Sequence, residues 1–156
     1  MEIIIRDALP DDLDALVMLL QALFSIEVDF AVDKKRQRRG LSMMLDGCGK
    51  HRCVKVAQVE GAVVGMCTAQ MLVSTAQGGQ VALIEDMVVD SQFRRLGIGR
   101  QLLSAIEKWA HNHGMTRMQL LADRTNFSAL DFYDKMGWCP TRLICLRRQL
   151  KDPGEK

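Results

Sequence analysis

The chain lacks the residues that mark several protein classes. Its five cysteines, Cys48, Cys53, Cys67, Cys139 and Cys145, are odd in number, scattered, and never spaced Cys-x-x-Cys. That argues against a disulfide framework and against a zinc site. His111 and His113 stand two apart on a helical stretch and face different ways, while His51 is alone, so no metal is expected. There are only three prolines, and no Pro/Gly/Ser-rich tract divides the sequence. No apolar run approaches the roughly 18–20 residues that span a bilayer. The start, Met1-Glu2-Ile3-Ile4-Ile5-Arg6, lacks the plan of a secretory leader. Charge of one sign is missing as well: 21 Lys and Arg against 19 Asp and Glu leave a net +2. That balance gives no global argument for nucleic acid or a membrane as partner. The expectation is a reduced, cytoplasmic protein.

What is present suits one domain. The 156 residues are 48% hydrophobic and 26% charged, which is enough to bury a core without staples. The domain is expected over 1–150, with 151–156 a polar tail. Ile3-Ile4-Ile5 reads as a strand. Pro10 sits where a helix can begin, with Asp11 and Asp12 in its first turn, and Leu13, Leu16, Val17, Leu20, Leu23 and Phe24 follow at helical spacing. Residues 33–46 form a second helical stretch, interrupted by Gly40. Cys53–Val59 is strand-like, Glu60-Gly61 is a hairpin turn, and the next strand runs from Ala62 to about Ser74. After Gly78-Gly79, Val81–Val89 is a further strand. Residues 98–112 carry an apolar stripe closed by Gly114, Met118–Leu121 is a short strand, and Asn126 caps a helix closed by Gly137. Leu143-Ile144-Cys145-Leu146 reads as a last strand. The order β-α-α-β-β-β-α-β-α-β implies an α/β fold, a mixed sheet with helices on both faces.

Chemistry gathers in Val88-Val89-Asp90-Ser91-Gln92-Phe93-Arg94-Arg95-Leu96-Gly97-Ile98-Gly99-Arg100. A strand ends, a glycine-spaced basic loop turns, and a helix opens. Gly97 and Gly99 remove side chains where the backbone must turn tightly. The N–H groups of the first helical turn then make an anion site suited to a pyrophosphate. No GxxxxGK[ST] string exists here, and Gly97-Ile98-Gly99-Arg100-Gln101-Leu102 lacks the third glycine of the dinucleotide fingerprint.

Arg94-Arg95-Leu96-Gly97-Ile98-Gly99 resembles the Arg/Gln-x-x-Gly-x-Gly/Ala signature of the GNAT superfamily of acetyl-CoA-dependent N-acetyltransferases. Downstream, Asn126, Phe132-Tyr133 and Gly137-Trp138 resemble that family's Asn, Phe-Tyr and Gly-aromatic pattern, with one helix and one strand between the motifs. The resemblance is sharp over 81–139. It implies a GNAT-like fold and acetyl-CoA as co-substrate. The backbone of Met87, Val88 and Val89 would pair with the pantetheine arm. The loop of Arg94, Arg95, Leu96, Gly97, Ile98, Gly99 and Arg100 would cradle the pyrophosphate, and Asn126 would lie near the pantetheine. Tyr133 would stand near the sulfur as general acid. On helix periodicity alone Tyr133 is a core aromatic; the pattern reverses that. The family also implies a homodimer.

A primary amine must lose a proton before it attacks a thioester. Glu85-Asp86 stands in the strand leading to the loop, and neighbouring strand residues point to opposite faces, so one of the two faces a given cleft. Ile84-Glu85-Asp86 resembles the Leu-Glu-Asp strand of polyamine-type members, where the Glu is the base. Glu85 is the expected base and Asp86 the alternative. Glu27, Asp29 and Asp33 could attract a cationic amine, and Lys34-Lys35-Arg36-Gln37-Arg38-Arg39 an anionic substrate or nucleic acid; each cluster reads more simply as solvated surface, and the two opposed hints leave the acceptor open. The expected activity is acetyl transfer to a small-molecule amine. Acetylation of a protein α-amine or lysine, or a non-catalytic acyl-CoA sensor, are the rivals.

Overall fold

Glu60 and Gly61 both adopt left-handed backbone, with φ of 49° and 85°. This is the two-residue turn whose twist matches a hairpin, and it pairs Val59 with Ala62. The computed structural model describes residues 1–27 and 29–154. They fall into two compact units, Met1–Leu120 and Leu121–Lys156.

The first unit holds β1 (Ile3–Asp7), α1 (Leu13–Phe24), α2 (Lys34–Asp46), β2 (Arg52–Val59), β3 (Ala62–Ser74), β4 (Gly79–Val89), α3 (Ile98–Asn112) and β5 (Met118–Leu120). The sheet runs β1-β2-β3-β4-β5. Its first three ladders are antiparallel, and β4–β5 is parallel, joined through α3. Helices cover both faces. On one, Leu16, Val17, Leu20 and Leu41 pack with Val54, Val56, Met66 and Val88. On the other, α3 lies so close that a Cβ on Gly65 would come 3.3 Å from Leu102 and 3.4 Å from Ile98. Gly65 therefore sets how near α3 approaches β3. Ile98, Leu102, Leu103 and Ile106 are its buried stripe, and Gly114 closes it with φ of 70°. The Gly114 N–H donates to His111 and that of Met115 to Ala110, a Schellman stop.

Pro10 opens a single 3-10 turn, Pro10–Asp12, ahead of α1. Asp12 does more than complement the helix dipole. Its carboxylate accepts the Leu9 N–H at 2.7 Å and takes a two-pronged grip from Arg6 at 2.7 and 2.9 Å. This ties β1 to α1, and the Arg6 guanidinium holds the Asp12 carboxyl below the usual carboxylate range.

In the second unit, α4 (Phe127–Lys135) starts at Asn126, whose side chain accepts the Ala129 N–H at 3.2 Å. The last strand expected from the sequence, Leu143–Leu146, does not form. A strand exists only through ladder bonds, and among the described residues none pairs with this segment. Its Leu143 N–H turns instead to the Thr141 hydroxyl, and Leu143, Ile144 and Leu146 stand exposed. α1 begins three residues after the expected start at Pro10, and the other expected elements form within one or two residues of their expected ends.

Asp12→Asn removes a charged, nearly buried pair and should cost about 2 kcal/mol at pH 7 in urea unfolding. Because the folded-state pKa is depressed, the wild-type advantage is full above the ordinary carboxylate pKa. It should vanish as pH falls through the folded value, so the two proteins should converge in acid.

Candidate active site

The site begins with a register slip. Cys67 of β3 faces Met87 of β4, and Ala69 faces Ile84. Thr68 alone therefore opposes two residues, Glu85 and Asp86, a β-bulge on β4. Strict alternation would send those two side chains to opposite faces. The bulge cancels this. Asp86 bonds Thr68 and Glu85 bonds Gln70, and Thr68 and Gln70 are two apart on β3, hence on one face. Both carboxylates thus project to the side covered by α1 and α2, which corrects the expectation that only one could face a cleft.

The two differ in setting. Glu85 is exposed, with the Gln70 amide 3.4 Å away. Asp86 is half-buried: its backbone N–H donates to the Thr68 hydroxyl at 3.0 Å, and that hydroxyl donates to its carboxylate at 3.0 Å. Burial pushes the Asp86 carboxyl up to about 6; the Thr68 hydrogen bond opposes this, and the charges of Glu85 and Glu27 add to it. A carboxylate that titrates near neutrality is suited to accept a proton. Glu27 follows α1 in a loop whose ends are drawn together by the stacked rings of Phe24 and Phe30, 5.2 Å apart.

The bulge also stands where the sheet parts. Parallel pairing of β4 with β5 covers only Ala82–Ile84 against Met118–Leu120. From Glu85 to Val89 the β5 side of β4 carries no ladder among the described residues, so Met87, Val88 and Val89 offer a strand edge there. The chain then turns through Asp90, whose N–H donates to Val64 at 2.8 Å and whose side chain accepts the Gln92 N–H at 2.9 Å. Arg94 folds back, its Nε donating to the Val89 carbonyl at 3.1 Å. Arg95 holds left-handed backbone at φ 63° and Gly97 at φ 79°, and α3 follows. Ile98, Gly99 and Arg100 open the helix, so their N–H groups have no carbonyl one turn back. Space around Gly97 is open, with no atom within 4 Å of a Cβ placed there. The donor set fits an anion such as a pyrophosphate. Ile98 is 1% exposed and packs into the core, while Gly99 and Arg100 beside it are more open.

Asn126 and Tyr133 belong to the second unit. There the Gly137 N–H donates to Asp134 and that of Trp138 to Tyr133, with Gly137 at φ 84°. This is a second Schellman stop, and the contact that accompanies such stops is the Trp138 ring on that of Tyr133, centroids 6.0 Å apart. The Gly-Trp pair thus holds one side of the phenol, and Phe132 stands at 5.3 Å on another.

Sequence reasoning missed Thr68 and Gln70. Two polar residues at period two inside an apolar strand were the available signal. Asp33, expected to draw a cationic amine, instead caps α2 by accepting the Arg36 N–H at 3.1 Å. The basic run makes up the mostly exposed first turns of α2, with Arg38 paired to Asp14 of α1. An open groove of about 470 Å³, lined by Glu107, Lys108, His111 and Arg117 among others, follows the C-terminal half of α3, away from the loop.

Residues 20–138 match the model of the acetyltransferase (GNAT) family. An uncharacterized N-acetyltransferase of Archaeoglobus fulgidus is 30% identical over 131 residues, 83% of this chain and 88% of that protein. The L-ornithine N5-acetyltransferase NATA1 of Arabidopsis thaliana is 37% identical over 54 residues, which is 35% of this chain and 24% of that protein. The matched stretch thus spans only about a quarter of the first curated relatives' length. Among solved structures, the aminoglycoside acetyltransferase meta-AAC0020 from an uncultured soil metagenomic sample, in complex with trehalose, superposes with a TM-score of 0.76. It is 25% identical and covers 96% of this chain and 97% of its own.

Gly97→Ala places a Cβ at a left-handed position in open space. It should cost about 1–2 kcal/mol in urea unfolding, from backbone strain alone. Arg95→Gly should raise stability by up to about 1 kcal/mol.

Proposed function

The chain belongs to the acetyltransferase (GNAT) family, an enzyme family that uses acetyl-CoA, and on that premise we propose that it acetylates a primary amine of a small molecule, with Asp86 as the base. The observation that carries this is the bulge. It sets Asp86 beside Glu85 on the face shared with Glu27, where β4 leaves β5 and just before the anion-suited loop. Three carboxylates on one side favour a cationic acceptor. The ornithine and aminoglycoside acetyltransferases among the relatives are named for small amines, which supports the same class. Asp86 replaces Glu85 as first choice because it is the more buried of the two and the one held by fixed partners.

The co-substrate supplies an activated acetyl thioester. Met87, Val88 and Val89 would hold its pantetheine through the open strand edge. The N–H groups from Arg95 to Arg100, with the charge of Arg94, Arg95 and Arg100, would hold its pyrophosphate. Asn126 would lie near the pantetheine. Asp86 takes the ammonium proton, directly or through a water, which frees the nitrogen lone pair to bond the acetyl carbon. An N–H near Val88 or Val89 polarises the acetyl carbonyl. As the C–S bond breaks, Tyr133 gives its phenolic proton to the sulfur. The family match crosses from the first unit into the second. That supports one acetyltransferase domain over 1–150; of the polar tail at 151–156, residues 155–156 lie outside the described residues. Five free cysteines suit a cytoplasmic setting, and a homodimer belongs to the same reading. No helix among the described residues is long and apolar enough to cross a membrane.

Acetyl-CoA consumption across polyamines, aminoglycosides, amino acids, aminophosphonates and short peptides tests the assignment, with CoA binding followed by thermal shift. Turnover on a small cationic amine is expected. Turnover on peptides alone would reassign the acceptor to protein, and CoA binding without turnover would favour a sensor.

Asp86→Asn should lower kcat/KM by about 10²–10⁴ and abolish the fall in rate below about pH 6. A buried carboxylate with a raised pKa is costly when ionised, so the same variant should unfold about 1–3 kcal/mol harder at pH 8. Tyr133→Phe should lower kcat while leaving CoA binding unchanged.

A further inference from the structure

We propose that Thr68 is the positioning residue of the catalytic base: its one hydroxyl both closes the β4 bulge and orients the Asp86 carboxylate. The inference rests on the assignment of Asp86 above and extends it to a residue on another strand.

A bulge leaves a residue without its ladder partner. Here the Asp86 N–H is taken by the Thr68 oxygen at 3.0 Å, a side chain standing in for a backbone carbonyl. A hydroxyl has one hydrogen and two acceptor sites. With its oxygen engaged by that N–H, the single hydrogen goes to the Asp86 carboxylate, also at 3.0 Å. Thr68 is 1% exposed, so water cannot replace either bond cheaply. The residue touches only Asp86 in this role and acts through it.

The Thr68 hydrogen bond favours the charged carboxylate, whereas burial and the neighbouring carboxylates work against it. Glu85 on β4 and Glu27 beyond α1 are like charges. Gln70 on β3 is a neutral amide, and Cys67, whose side chain lies on the opposite face of β3, is a buried thiol pushed up in pKa and uncharged at neutral pH. Thr68 is therefore the neighbouring group that favours the ionised form of the base. Its β-branched shape fills the strand position as Val would, so the hydroxyl can be removed with little change of volume.

The test compares wild type, Thr68→Val, Thr68→Ser and Asp86→Asn. Asp86 is titrated by carboxylate ¹³C NMR and assigned by the resonance missing in Asp86→Asn; the pH profile of kcat/KM is measured on the best amine. Thr68→Val should move the Asp86 midpoint and the acid limb upward together by about one pH unit. Its kcat at pH 6.5 should fall several-fold, with KM for acetyl-CoA unchanged. Thr68→Ser should restore both midpoints. Thr68→Cys, a weak donor of similar size, should give a smaller shift in the same direction and serves where the valine variant folds poorly. An unmoved midpoint in Thr68→Val, or a serine variant that behaves like valine, overturns the proposal. An acid limb that survives in Asp86→Asn overturns the base assignment instead, and the NMR midpoint separates the two failures.

Discussion

One slip of register, two residues of β4 against one of β3, is the constraint from which the site follows. It bends β4 at the residue where β5 ceases to pair, so the sheet opens at that point. It also turns two adjacent carboxylates to one face, which a regular strand cannot do. The fold builds this with a single internal hydroxyl, that of Thr68, where a ladder bond has been given up.

The rest of the machinery is held by backbone geometry more than by side-chain contacts. Arg95 and Gly97 take left-handed conformations in the turn before α3, and Gly65 lets that helix lie close against β3. Arg94, which sequence alone casts as a ligand for phosphate, is anchored on the last carbonyl of β4. It therefore ties the strand edge to the loop. In the second unit a glycine-tryptophan stop does similar work for Tyr133. The Gly-aromatic pair is thus a helix terminator as much as a signature.

Most of this fold is legible in the sequence, because period and punctuation are local. The stripe of α3, its glycine stop, the Glu60-Gly61 turn and the Asn126 cap each depend on a few neighbouring residues. The loop from Arg94 to Arg100 is legible for the same reason. What escapes is set by pairing at a distance. The bulge carries no glycine and leaves no local trace. Left-handed backbone at Arg95 contradicts that residue's own preference. Leu143–Leu146 has the composition of a strand, yet strand formation depends on a partner that composition does not reveal. Asp12 reads as a dipole residue until Arg6, on another element, takes hold of it.

The bulge lies in the ladder between β3 and β4, which are joined by a short turn at 75–78. The parallel pair beside it must wait for the whole of α3 to bridge Val89 and Met118. Closing a short loop costs less chain entropy than closing a long one. The geometry of the base is thus encoded in a hairpin that can close early and locally, and the opening it faces is bounded by the ladder with the larger entropic cost. Lesions in the crossover helix should accordingly loosen the cleft while leaving the carboxylate pair in register.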